Sequence, residues 1–268
     1  MHGIVFRITG TKDMNAIPQP KTHQIVDRIN ALQAASPRFI DPSEISPLSR
    51  EWRAIRHDIG QLMQADACAA WELMGSWRAL AGDVDGAEAA FRNSVALGQT
   101  DVNRENWMIT RLNLGLFSQA QEIYREIGTP RAQDLAFIAR YGFLAGAVGQ
   151  TTRLIEQART RGFEWDEAWV LQVKEALSIM SEAEVTDAEI ARRLDCAGEV
   201  LRRHGWRPVV APRVLSVEGV FRGLTYRFAI PVSLAQAYEM DRESMLKENE
   251  LALFNPASLL IEIDGVCA

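Results

Sequence analysis

Trp71-Glu72-Leu73-Met74-Gly75, then Gly82, then Ala87-Glu88-Ala89-Ala90-Phe91 is the stretch whose reading decides the fold. Apolar residues spaced three and four apart on both sides of Gly82 describe two amphipathic helices joined by a short turn. Gly75 lets the second helix approach the first, and Gly82 suits a left-handed residue after a helix end. Ala87 and Phe91 are four apart, so one small and one bulky side chain share a face of the second helix.

The pattern recurs. Gly82 is followed by Gly115 and Gly146, at intervals of 33 and 31 residues. Five positions after each glycine stand Ala87, Ala120 and Thr151; nine after stand Phe91, Tyr124 and Ile155; twelve after stand Ser94, Ile127 and Ala158. In the second unit Trp107 occupies the place of Met74 and Arg104 replaces the aromatic. The third unit has Leu135 at the aromatic position and Ala139 at the small one. Over roughly residues 68–164 the chain resembles the tetratricopeptide repeat family, with about three repeats. The alternative is an ordinary helical bundle with coincident spacing.

That resemblance implies antiparallel helix pairs stacked as a solenoid, with a partner held along a groove lined by the first helix of each pair. Transferred by register, the groove positions are Glu72, Ser76, Ala79 and Leu80, then Glu105, Ile109, Leu112 and Asn113, then Ala136, Arg140, Phe143 and Leu144. Family members that clamp a terminal carboxylate need Lys, Arg and Asn at several of these places. Here only Asn113 and Arg140 qualify, and Glu72 and Glu105 oppose an anion. The expected occupant is an amphipathic or extended protein segment, or else the chain's own N-terminal or 163–180 helix.

Outside the repeats, Thr22 to Ala34 carries a helical stripe of Ile25, Val26, Ile29 and Leu32, after a short strand at 3–9. Pro37, Pro42 and Pro47 make 35–48 a linker, and Ser49 is the expected cap of a helix running to Met63 that covers the first repeat. Phe163 to Met180 reads as a covering helix whose tryptophans serve packing. Beyond Ser181 the order is helix, strand, strand, helix, strand: Thr186-x-x-Glu189 opens the first helix, strands fall at 213–218, 224–232 and 259–263, and a helix spans 234–251. Gly219 and Gly223 mark the hairpin. Val214, Leu215, Phe221, Tyr226, Phe228, Ile261 and Ile263 are its expected core. The fold class is therefore mainly α: a helical-hairpin solenoid followed by a small α+β domain. The divisions are 1–48, 49–181 and 182–268.

Composition narrows function. A net charge of −6 argues against a general nucleic-acid coat or a membrane-surface binder. Cys68, Cys196 and Cys267 are odd in number and far apart, which fits free thiols in a reducing compartment, and the location expected is cytoplasmic. No apolar run is long enough to span a bilayer. Asp83-Val84-Asp85-Gly86 opens like a calcium loop but lacks the later ligands, so it reads as a turn. His2, His23, His57 and His204 have no partners at metal spacing. No nucleophile elbow or phosphate loop occurs. The expectation is no metal, no cofactor and no catalytic residue.

Glu189-Ile190-Ala191-Arg192-Arg193-Leu194, with Cys196, Val200, Leu201 and His204, resembles the helix-turn-helix of bacterial regulators over about sixteen residues. It implies that Arg202, Arg203 and Arg207 meet phosphates near 186–207. The competing reading is one amphipathic helix from Asp187 to His204 packed on the sheet. The leading function is a protein-binding adaptor whose C-terminal domain gives a second contact or self-association. A DNA-associated regulator and an enzyme or toxin-like C-terminal domain are the alternatives.

Overall fold

The computed structural model describes residues 20–127, 134–217 and 220–266. The strand expected at 3–9, Gly219 and Cys267 lie outside them. The chain is mainly α, and its C-terminal part is α+β. Helices α1 (Pro20–Ala35), α2 (Pro47–Leu62), α3 (Ala67–Ala79), α4 (Val84–Leu97) and α5 (Asp101–Asn113) are followed by α6 (Phe117–Glu126), α7 (Leu135–Leu144), α8 (Val148–Arg159), α9 (Glu167–Glu182) and α10 (Asp187–Arg203). Then come β1 (Val210–Val217), β2 (Phe221–Ile230), α11 (Leu234–Glu250) and β3 (Leu259–Gly265). Two compact units result: residues up to Leu114 with Gly205–Arg207, and Gly115–His204 with Pro208 onward. The boundary read from sequence at 181/182 falls inside the second unit.

In the first unit, α3 and α4 pack as the sequence pattern requires. A Cβ on Gly75 would stand 2.5 Å from the Phe91 ring, so the missing side chain admits the phenyl group between the helices. The periodic glycines Gly82, Gly115 and Gly146 all take the left-handed conformation, with φ of 72, 70 and 79°. Asp83 caps α4 through Gly86 N at 2.9 Å and also pairs with Arg78 at 2.7 Å, so the calcium-like sequence is a capped turn. Trp52 of α2 and Trp77 of α3 stack at 4.0 Å, and each indole N–H donates to the other residue's carbonyl, at 3.0 and 2.7 Å. The cap of α2 is Ser46 rather than Ser49: Pro47 takes the first helical position, and Ser49 closes the capping box from the third. The segment 36–46 is packed rather than a free linker. Ile40 is buried, the Phe39 ring covers Gly82, and Arg38 bridges to Trp206.

In the second unit, α10 is one unbroken helix, with no turn near Cys196 to Gly198, so a helix-turn-helix does not form. It lies on the turns that precede α6 and α8. A Cβ on Gly115 would meet Gly198 Cα at 2.7 Å, and one on Gly146 would meet Ile190 Cγ2 at 2.6 Å. Leu116 and Ala147 stand where Asp83 stands in the first pair, and neither caps its helix. α10 supplies the carboxylates instead. Asp195 accepts from Ser118 N at 3.1 Å, and Asp187 accepts from Gly149 N and Gln150 N at 2.8 and 3.0 Å. Eight residues, about 12 Å of helix, separate the two aspartates, enough to reach two neighbouring helix ends. Burial pushes the Asp195 carboxyl up, while the amides of Ser118 and Phe117 pull it back.

The sheet order is β1-β2-β3, with β1–β2 antiparallel and β2–β3 parallel across α11. Leu224, Tyr226, Phe228, Leu259, Ile261 and Ile263 are buried on one face, where Phe228 meets Phe117 edge-on at 5.8 Å and the Tyr226 hydroxyl donates to Phe143 O at 3.1 Å. Of the expected core, Leu215 is exposed and Phe221 half-buried because both lie on the opposite face of the sheet, and Val214 is half-buried on the edge strand β1. Gly223 lies inside β2 rather than in the turn. The helix expected from Phe163 begins only at Glu167, capped by Asp166; Phe163 and Trp165 precede it, Phe163 packing on Trp165 and Trp165 on Trp169.

Gly75→Ala is expected to cost about 1–3 kcal/mol in chemical denaturation, and Phe91→Leu in the same chain to recover part of that loss by opening space. Asp187→Ala and Asp195→Ala are each expected to cost about 1–2 kcal/mol, as removed N-caps do, although neither lies on the helix it caps.

Candidate functional site

Helix α2 has two faces. Ile55, Ile59 and Leu62 point inward and are buried, and Trp52 joins them through its stack on Trp77. Arg50, Arg53, His57, Gln61 and Gln64 recur three and four residues apart on the other side, with Arg56 and Gly60 beside them, and all seven are exposed. Arg53, Arg56, His57, Gly60, Gln61 and Gln64 line an open depression of about 760 Å³. Arg53 donates to Pro42 O at 3.1 Å, the Arg56 guanidinium stands 5.9 Å from the Trp77 ring, and His57 Nε2 lies 2.9 Å from Gln61 Nε2. Among the described residues no carboxylate pairs with Arg50, Arg53 or Arg56. Gly60 forms part of the lining, and a Cβ there would meet nothing within 4 Å. The result is an open, cationic surface, and the carboxylates of the same helix, Glu51 and Asp58, are paired with Arg28 instead. Guanidinium groups placed this way can bind carboxylate or phosphate through paired N–H donors.

The groove expected from the repeat register is arranged differently. Ser76, Leu80, Glu105, Ile109, Leu112, Asn113 and Phe143 are buried, and buried side chains cannot line an open groove. The register identifies positions that face a neighbour but is silent on whether another element covers them. Of the nine principal positions only Glu72, half-buried, and Arg140, exposed, reach the surface. Arg140 lies 5.6 Å over the Trp169 ring, which Phe143 meets edge-on at 6.4 Å. Glu72 accepts from Asn106 Nδ2 at 2.5 Å, and Ser76 Oγ donates to Glu72 O at 3.3 Å. Burial pushes the Glu72 carboxyl up to about 7 against the pull of Asn106, with Asp66 adding to the rise.

The arginines expected to meet phosphates are engaged within the fold. Arg207 is buried, donates to Gln33 O and is pushed down to about 10 by desolvation. Arg203 pairs with Glu243 at 3.0 Å. Arg202 is half-buried and points to Gly115 O at 3.5 Å.

Neither described cysteine is a poised nucleophile. The Cys68 thiol donates to Ser94 O at 3.4 Å, and burial pushes Cys196 up to about 11. A smaller hollow of about 260 Å³ beside Cys196 is bordered by Asp195, Glu199 and Lys247, the last two ion-paired. Among the described residues no three His, Cys, Asp or Glu side chains could hold a metal ion, and no helix is long and apolar enough to cross a membrane. Set against protein-family models, curated proteins and solved structures, the chain matches none of them.

The α2 face was absent from the sequence-derived site. Its signal was present as a stripe of Arg50, Arg53 and His57 continued by Gln61 and Gln64. A basic stripe opposite an apolar one is also what any solvated helix shows.

Glu72 carries a pH prediction. Folded, it holds its proton to about pH 7, whereas an unfolded glutamate releases it near 4.5. The folded chain binds the extra proton between those values, so this residue lowers stability progressively as pH rises through that window. Glu72→Gln keeps the acceptor for Asn106. It is expected to raise stability over the native chain by about 1–3 kcal/mol at pH 8 and to change nothing at pH 4, measured by thermal melts at both.

Proposed function

We propose that this protein is a non-enzymatic interaction scaffold of the helical-repeat kind, and that α2 presents its basic face to an acidic segment of a partner protein. The observation that carries this reading is the open depression around Arg53, Arg56 and His57, where, among the described residues, neither arginine, nor Arg50 beside them, pairs with a carboxylate. A partner's Asp and Glu side chains would supply it. Arg56 beside the Trp77 ring and Arg53 on Pro42 O are partly ordered before binding, which reduces the entropy lost on association. The net charge of −6 favours an acidic peptide over a nucleic acid, because the remainder of the chain repels a long polyanion while a short segment need only meet α2.

The test is fluorescence anisotropy of a labelled Glu/Asp-rich peptide titrated with the full chain. Micromolar binding at low salt, weakening severalfold as ionic strength rises from about 0.05 to 0.3 M, is expected. Arg53→Glu with Arg56→Glu is expected to weaken it at least about tenfold, while Arg203→Glu, on a different helix, leaves it unchanged. No binding by the native chain, or tighter binding of a single-stranded oligonucleotide than of the peptide, overturns the reading.

A further inference from the structure

The sheet exposes apolar side chains on the face opposite its core. Cross-strand partners share a face, so Leu215 with Gly223, Arg213 with Thr225 and Leu260, and Arg227 with Glu262 all lie opposite the buried core side. Leu215, Val217 and Leu260 are 44, 56 and 44 % exposed there. Phe221 folds over Gly223, where a Cβ would come within 2.3 Å of its ring. Thr225 is buried in the middle of this face, between Arg213 on β1 and Leu260 on β3.

The edges of the sheet are partly taken up. On β3, Ile263 N donates to Asp241 at 2.9 Å and Leu259 O accepts from Arg193 at 2.9 Å, so α11 and α10 take up outer hydrogen-bonding groups there. On β1, Pro212 has no N–H to offer and its carbonyl accepts from Gln172 at 3.4 Å, which interrupts that edge. A proline inside the edge disfavours an added strand, and the feature left is the face itself.

We infer that this face docks a second copy of the same chain. Charge selects that occupant. The described charged residues on the face are Arg213, Arg227, Glu262 and Asp264, two of each sign, so the face is neutral on a chain of net charge −6. Elsewhere, like-charge repulsion opposes the approach of two copies. Their arrangement is also self-complementary. Arg213, exposed and without a carboxylate partner among the described residues, lies on β1; Glu262, held only at 3.9 Å by Arg227, lies on β3. A two-fold axis along the strands lays β1 of one copy over β3 of the other, which brings Arg213 within reach of the other copy's Glu262, with Leu215, Val217 and Leu260 forming the apolar centre. Three strands of seven residues cover roughly 14 by 23 Å, about 320 Å² per copy, which is less than a stable dimer buries, so the contact is a weak and reversible one. The inference stands apart from the acidic-partner reading, since that concerns α2 alone.

Sedimentation velocity of the full chain between about 5 and 500 µM tests it. A reversible monomer–dimer equilibrium in that range is expected, and Leu215→Glu with Leu260→Glu is expected to leave only monomer with an unchanged circular dichroism spectrum. Arg213→Glu is expected to weaken the dimer about tenfold, and Glu262→Arg in the same chain to restore it, a rescue that does not depend on the apolar variants folding. Arg53→Glu with Arg56→Glu leaves the equilibrium unaltered, which separates failure here from failure of the scaffold reading. A native chain that stays monomeric throughout, or a dimer that persists in the Leu215/Leu260 variant, overturns the inference.

Discussion

The amides exposed at the start of α6 and α8 are the constraint from which the second unit is built. A helix begins with donors that have no partner inside it, and burying them unpaired is expensive. In the α3–α4 pair the remedy is local, since Asp83 stands directly after Gly82 and caps α4. In the next two pairs Leu116 and Ala147 occupy that place and offer nothing. The capping therefore comes from α10, through Asp195 and Asp187. Once α10 must lie against both turns, Gly115, Gly146 and Gly198 have to be bare, because a Cβ at any of them would strike the facing helix.

The far side of α10 sets the next layer. Arg193 is buried, donates to Glu248 of α11 at 2.9 Å and to Leu259 O at the start of β3. Burial pushes the Glu248 carboxyl up and the guanidinium pulls it back down, so the pair is satisfied without being a large source of stability. Its effect is geometric: α11 and β3 are held at one place along α10. With β3 fixed, the parallel register carries Tyr226 and Phe228 of β2 onto the α6–α7 side. One helix thus links the repeat-like pairs to the sheet, which is why the second unit extends across the boundary at 181/182.

How much of this the sequence disclosed depends on whether the information was local. The glycine interval, Ala87 and Phe91, and the strand–strand–helix–strand order are local patterns, and each fell within a few residues of its element. The start of α2 was misplaced because Ser46 and Ser49 are both good caps; the choice fell to Pro47, which needs a position whose N–H has no helical partner. Asp187 and Asp195 looked like solvated helix charges, since nothing in their own helix shows that they serve α8 and α6. Burial of Ile109, Leu112 and Asn113, and of Arg207, arises from packing partners distant in sequence, which periodicity does not carry. The α2 face shows the converse case. Its residues were legible, but what distinguishes them is that among the described residues no carboxylate pairs with them, Glu51 and Asp58 being taken by Arg28, a property of the surface and not of the stripe.

Gly60 sharpens that distinction. A glycine inside an exposed helix costs about 1 kcal/mol relative to alanine and needs some return. At several other positions the return is visible: a left-handed turn at Gly82, Gly115 and Gly146, or close approach at Gly75, Gly142 and Gly198. Gly60 has neither, for its backbone is helical and the space above it is empty to 4 Å. Nothing within the fold uses its missing side chain. On the proposed reading of α2 the missing side chain leaves the backbone open between Arg56, His57 and Gln64, where a partner's carboxylate could approach it with the arginines on either side.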